Sequence, residues 1–126
     1  MRGGYRERFV LAVLAGLGSA LAAPSAGAQE LTGAEILARI AGNTISGDMG
    51  GPFEEYYRRD GTLRGATAEG RYDGKWTVAD GRFCLEYSEP LGCFAVRLDG
   101  ETLTFIDEDG EVAGTGTLGP GNPNGF

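Results

Sequence analysis

Two cysteines, Cys84 and Cys93, lie in the stretch RFCLEYSEPLGCFAV and are the residues best placed for covalent chemistry in this 126-residue chain. Three chemistries are open to such a pair: thiol redox, metal ligation and a structural disulfide. Redox work needs a thiol of lowered pKa, from a C-x-x-C spacing, a helix N-terminus or a basic neighbour. Here the neighbours are Glu86 and Glu89. A metal site needs further Cys or His ligands, and the chain has no histidine. The disulfide remains. The runs RFCLEY and CFAVRL flank SEPLG, which reads as a hairpin turn. Pairing the runs sets Cys84 opposite Cys93 and Phe83 opposite Phe94, within cross-strand reach.

The remaining polar motifs are weaker. In FIDEDGEVAGTG, aligning Asp107, Asp109 and Gly110 to a calcium-binding loop puts Phe105 and Gly116 at positions that need acidic ligands. A turn with acidic flanks is the expectation. Without histidine there is no Ser-His or Cys-His nucleophile pair. A buried carboxylate pair such as Glu69 with Glu86 would be an acid–base arrangement, and nothing in the sequence supports it. The expectation is a protein that is not an enzyme and takes no cofactor or metal. FEEYYRRDG concentrates aromatic and basic groups, and Tyr56, Tyr57, Arg58 and Arg59 form the candidate contact surface. Strand alternation puts Phe53, Glu55, Tyr57 and Arg59 on one face, and Glu54, Tyr56 and Arg58 on the other. The competing reading is a strand whose aromatics pack inward. Trp76, in RYDGKW, reads as core.

These groups must be positioned by short elements. LTGAEILARIAGN predicts a helix over 33–41. Thr32 and Glu35 form a capping box, Leu31 and Ile36 a hydrophobic staple, and Ile36, Leu37 and Ile40 an apolar stripe. Gly42 suits the position after the cap. Beyond Asn43, Asp-Gly recurs at 60–61, 73–74, 80–81, 99–100 and 109–110, a strong hairpin signal. Asp73-Gly74 also fits a bulge within a longer strand. The pattern predicts about eight strands: 43–47, 53–59, 62–66, 71–78, 82–87, 93–98, 102–107 and 111–118. The fold class is mainly β, an antiparallel meander closing into a small lipocalin-like barrel or half-barrel, with the one helix covering a mouth or edge. Phe83, Leu85 and Tyr87, Phe94, Val96 and Leu98, Leu103 and Phe105, and Trp76 and Val78 are assigned to the core. The cysteines fall on the opposite, outer face. The tail over 119–126 reads as irregular and partly mobile.

The first 28 residues have another character. Arg2, Arg6 and Arg8 precede an apolar run from Phe9 to Ala23, and Ala26-Gly27-Ala28 matches a signal-peptidase site. The run is too short for a membrane span. Residues 1–28 are therefore expected to be a signal peptide and 29–118 a single β-rich domain, periplasmic or secreted, which is the setting in which disulfides persist. Residues 29–126 carry eight basic and 17 acidic groups, a net charge of −9. That opposes nucleic acid and anionic membrane surfaces.

EEYYRRDGTLRG, GRYDGKWTVADGRFCLEY and GCFAVRLDGETLTFIDEDGE resemble segments of small exported bacterial proteins of unassigned function. These have a signal, a short helix, then D-G-T, G-x-W and Cys…Cys. The resemblance implies the fold and brings no catalytic residue. A weaker similarity, in GKWTVADGRFCLEY and LTFIDEDGEVAG, is to periplasmic metalloprotease inhibitors built on a small lipocalin-like barrel. The leading expectation is a non-catalytic exported module for binding or envelope interaction, with a protein partner or a small apolar ligand. The alternative is a protease inhibitor or lipocalin-type small-ligand carrier. A barrel packed solid cannot carry a ligand, while one with an open mouth can.

Overall fold

The computed structural model describes residues 28–126; the predicted signal peptide lies almost entirely outside the described residues. A two-residue strand β1 (Gln29–Glu30) leads into helix α1 (Gly33–Ile40). Eight longer strands follow: β2 (Asn43–Asp48), β3 (Pro52–Tyr57), β4 (Thr62–Thr67), β5 (Gly70–Ala79), β6 (Arg82–Glu86), β7 (Pro90–Asp99), β8 (Thr102–Ile106) and β9 (Val112–Pro120). Each pairs antiparallel with the next, and β9 returns to pair with β2, Asn43 opposite Pro120 through Asp48 opposite Thr115. The meander therefore closes into an eight-stranded barrel with no free edge among these strands. β1 adds to β7 beyond the end of β6, Gln29 opposite Leu98 and Glu30 opposite Arg97.

Closure depends on close approach of β2 and β9. A Cβ on Gly47 would lie 2.6 Å from Gly116 Cα, and one on Gly116 would lie 2.6 Å from the Ile45 side chain. Only glycine lets these backbones meet. Asp73-Gly74 is neither turn nor bulge. β5 runs straight through it in regular register, Arg64 opposite Asp73 and Leu63 opposite Gly74.

The helix forms as its ends dictate. Thr32 Oγ1 accepts from the Glu35 backbone N–H (3.2 Å), and Glu35 accepts from the Thr32 N–H (2.9 Å). Gly42 takes φ +79° directly after the cap. Ile36 and Ile40 are fully buried, but Leu37, expected on the same stripe, is 52% exposed. Eight residues make only about two turns, so the buried face narrows to the i, i+4 pair. Because α1 touches β2, β5 and β6, which lie on different sides of the ring, it crosses one mouth and closes it. The turns at that end are β3–β4, β5–β6 and β7–β8.

The interior next to α1 is solid. Ile45, Tyr57, Leu63, Trp76, Phe83, Val96, Leu103 and Phe105 are all at most 3% exposed. Tyr57 meets the rings of Trp76 and Phe83 edge-on, and the Trp76 indole N–H donates to the Arg58 carbonyl (2.9 Å). Tyr57 therefore cannot belong to a contact surface: it is 1% exposed. Inward alternation of β3 overrides its place in the Tyr/Arg cluster. The tail is less irregular than expected. β9 extends through Pro120, and beyond it Phe126 and Asn122 exchange two hydrogen bonds while Arg71 lies over the Phe126 ring.

Cys84 and Cys93 are joined by a disulfide, directly opposite one another on β6 and β7, with Phe83 opposite Phe94. The bridge lies on the outer face, since Phe83, Leu85 and Phe94 point inward. It closes a short loop, worth about 2–3 kcal/mol by restriction of the unfolded chain. The Cys84→Ser/Cys93→Ser variant is expected to lose that amount in urea unfolding while keeping its β-sheet circular dichroism. An unchanged urea midpoint would show that the bridge stabilises nothing.

Candidate ligand-binding site

At the end away from α1 the barrel is open. The turns β2–β3, β4–β5 and β6–β7 surround a pocket of about 540 Å3. Its walls are largely apolar, with Met49, Pro52 and Phe53 from one side, Ala68 from a second and Leu91 from a third. At its floor is Glu55, a carboxyl group only 3% exposed.

Glu55 points inward because β3 alternates. Phe53, Glu55 and Tyr57 share the inner face, and Glu54 and Tyr56 the outer one. A carboxylate left unpaired in such a place costs several kcal/mol. Three phenols meet that cost. The Tyr57 hydroxyl donates to Glu55 Oε1 from below. Tyr72 on β5 and Tyr87, just after β6, donate to Oε2 at 2.5 and 2.6 Å. Tyr72 and Tyr87 also pack edge to face, with centroids 5.6 Å apart.

Two glycines make room for this cluster. A Cβ on Gly65 would lie 2.7 Å from both Glu55 Cγ and Tyr72 Cζ. A Cβ on Gly74 would lie 2.8 Å from the Tyr87 ring. The Asp-Gly at 73–74, which looks like a turn in the sequence, is thus a gap left for an aromatic ring.

The environment holds all three phenols in their neutral, donating form. Burial, then the charge of Glu55 and its hydrogen bond, push Tyr57 well above its usual value near 10. Burial followed by the Glu55 hydrogen bond and charge raises Tyr72, and burial followed by the Glu55 charge and hydrogen bond raises Tyr87. At any ordinary pH each phenol therefore has one proton, and that proton is given to Glu55.

The residues singled out in the sequence are placed elsewhere. Cys84 and Cys93 are on the outer wall. Tyr56, half-buried, is on the outer face of β3, while Arg58 and exposed Arg59 lie in the β3–β4 turn at the closed end. Arg58 reaches Thr62 Oγ1 (3.3 Å), and Arg59 lies against Gly42. The structure does not gather Tyr56, Tyr57, Arg58 and Arg59 into one surface. Glu69 and Glu86 are both exposed and make no buried acid pair. The buried acid is Glu55. Asp107 closes the β8–β9 turn, accepting from the backbone N–H groups of Asp109 and Glu111 (both 2.9 Å). Glu55, Tyr72 and Tyr87 were missed as a site, although alternation already put Glu55 on a face with Phe53 and Tyr57, and Tyr87 on the core face.

No family model, curated protein or solved structure matches this chain.

Because the folded-state phenol pKa values lie above those of the unfolded chain, the folded protein binds more protons in alkali. Its stability is complete below about pH 10 and falls as pH rises beyond that value, where the unfolded phenols ionise. Urea unfolding between pH 8 and 12 should show this decline, and it should be shallower in a Tyr72→Phe/Tyr87→Phe variant. Equal slopes would mean that these phenols are not shielded by the fold. Separately, Gly65→Ala drives a methyl into Glu55 and Tyr72, and is expected to cost about 1–3 kcal/mol in the same assay.

Proposed function

We propose that this protein is a non-catalytic, exported binding module that holds a small ligand in the open mouth of its barrel. The observation that carries the reading is the division of the interior. One end is packed with aromatic and aliphatic side chains, and the other keeps an apolar-walled pocket with a convergent polar group at its floor. Sites for small molecules have this composition: mostly apolar walls, with a few placed polar groups that fix orientation. Leu91, on the pocket wall, is 49% exposed and adds apolar surface at the mouth. The disulfide suits an oxidising compartment. Among the described residues no helix is long and apolar enough to cross a membrane.

The carrier reading is favoured over a protease inhibitor by the start of the domain. Gln29 and Glu30 are paired to β7, and the Leu31 N–H donates to the Val96 carbonyl (2.8 Å), so the residues before α1 are bound into the sheet. An inhibitory arm would have to leave those hydrogen bonds. The reading as a binder follows from Glu55 itself: both carboxyl oxygens are engaged by phenols held in place, an arrangement suited to recognition.

The neutral dye N-phenyl-1-naphthylamine tests the reading. Its fluorescence should rise on mixing with the protein, and amide resonances of Phe53, Tyr72, Tyr87 and Leu91 should shift. No rise, or shifts confined to Tyr56, Arg58, Arg59 and the outer β-strand surface, would overturn it.

A further inference from the structure

We infer that the ligand of the open mouth is a small organic ammonium ion with an apolar body, its charged head set above the Glu55–Tyr57–Tyr72–Tyr87 cluster. This rests on the carrier reading and adds the ligand's charge and shape.

The first argument is a donor count. A phenol has one proton to donate. Tyr57, Tyr72 and Tyr87 all spend theirs on Glu55. What this floor then offers a ligand is lone pairs, on carboxyl and phenol oxygens. A carboxylate or phosphate arriving there would find acceptors facing acceptors. An N–H donor or a cation finds several acceptors at once.

The second argument is charge. Among the described residues that line the pocket none is basic, whereas Glu55, Glu69 and Asp73 are acidic. Asp73 is already paired with Arg64 (2.7 Å). The three hydroxyls give the Glu55 carboxyl hydrogen bonds but bring it no positive charge. Buried charge is most stable with an opposite charge nearby, and the pocket is the side from which one can come. The net charge of −9 over residues 29–126 draws cations toward the barrel and repels anions.

The third argument is shape. The rings of Tyr72, Tyr87 and Phe53 line the same pocket, and aromatic faces attract ammonium groups. Met49, Pro52 and Leu91 offer apolar contact further out. A bare metal ion would leave these walls unused and would need more carboxylates than the floor supplies. A pocket of about 540 Å3 suits a body of one or two rings or an equivalent branched chain.

The test compares three probes that share one body and differ in charge: 2-phenylethylammonium, 2-phenylethanol and 3-phenylpropionate. Binding is measured by amide chemical-shift titration of the wild-type protein. The cation should bind about tenfold or more tightly than the alcohol, and the anion more weakly than either. Raising salt should weaken the cation and leave the alcohol unchanged. Glu55→Gln should bring the cation down to the affinity of the alcohol. If that variant does not fold, the probe order and salt dependence of the wild type still decide. An alcohol or anion that binds at the mouth as tightly as the cation overturns the ammonium assignment and leaves the carrier reading standing. Failure of all three probes to shift any mouth residue overturns both.

Discussion

The interaction on which the rest of this structure depends is the burial of the Glu55 carboxyl among three tyrosine hydroxyls. A carboxylate inside a small barrel is costly, and removing its partners would expose that cost in full. Hydrogen bonds to a charged group contribute about 1.5–3 kcal/mol each, so three of them bear the burden together. Their geometry spreads through the fold. Tyr57 reaches up from the packed end, while Tyr72 and Tyr87 reach across from β5 and from the end of β6. Gly65 and Gly74 stay small so that the carboxyl and the rings fit. The disulfide ties β6 to β7 just below the turn that carries Tyr87.

This cluster also divides the barrel. Beneath it the interior is filled and capped by α1. Above it, side chains thin out into the pocket of about 540 Å3. The difference between a closed core and an open pocket is thus made by a single polar layer in an otherwise apolar interior. The proposed function lives at that boundary, where preorganised oxygen atoms face an apolar mouth.

Much of the fold was legible in the sequence because local chemistry and global pattern agree. Period-two alternation marked the inward faces of β6, β7 and β8. The Asp-Gly pairs at 60–61, 80–81, 99–100 and 109–110 each fall at a strand connection, and the Thr32–Glu35 capping box set the start of α1. Closure itself was left open between barrel and half-barrel, because the β2–β9 pairing joins residues some 70 positions apart and leaves only glycines as its trace. The exposed Leu37 and the continuous β5 through Asp73-Gly74 show where a local signal loses to packing. The site was less visible. FEEYYRRDG stands out for its arginines and tyrosines, yet its important residue is Glu55, of whose three partners Tyr57 lies two positions later and the other two lie 17 and 32 positions later. No short motif encodes a carboxyl shared by strands so far apart. Only the inward register of a lone acid between Phe53 and Tyr57 hinted at it.

The central claim is that Glu55 and the three phenols form one hydrogen-bonded unit in solution. Proton NMR tests it most directly. Hydroxyl protons in slow exchange with water should be visible for Tyr57, Tyr72 and Tyr87, each with nuclear Overhauser contacts to the Glu55 side chain, and they should vanish in Glu55→Leu. Hydroxyl protons lost to fast exchange in the wild type, with no contact between those rings and Glu55, would contradict the account.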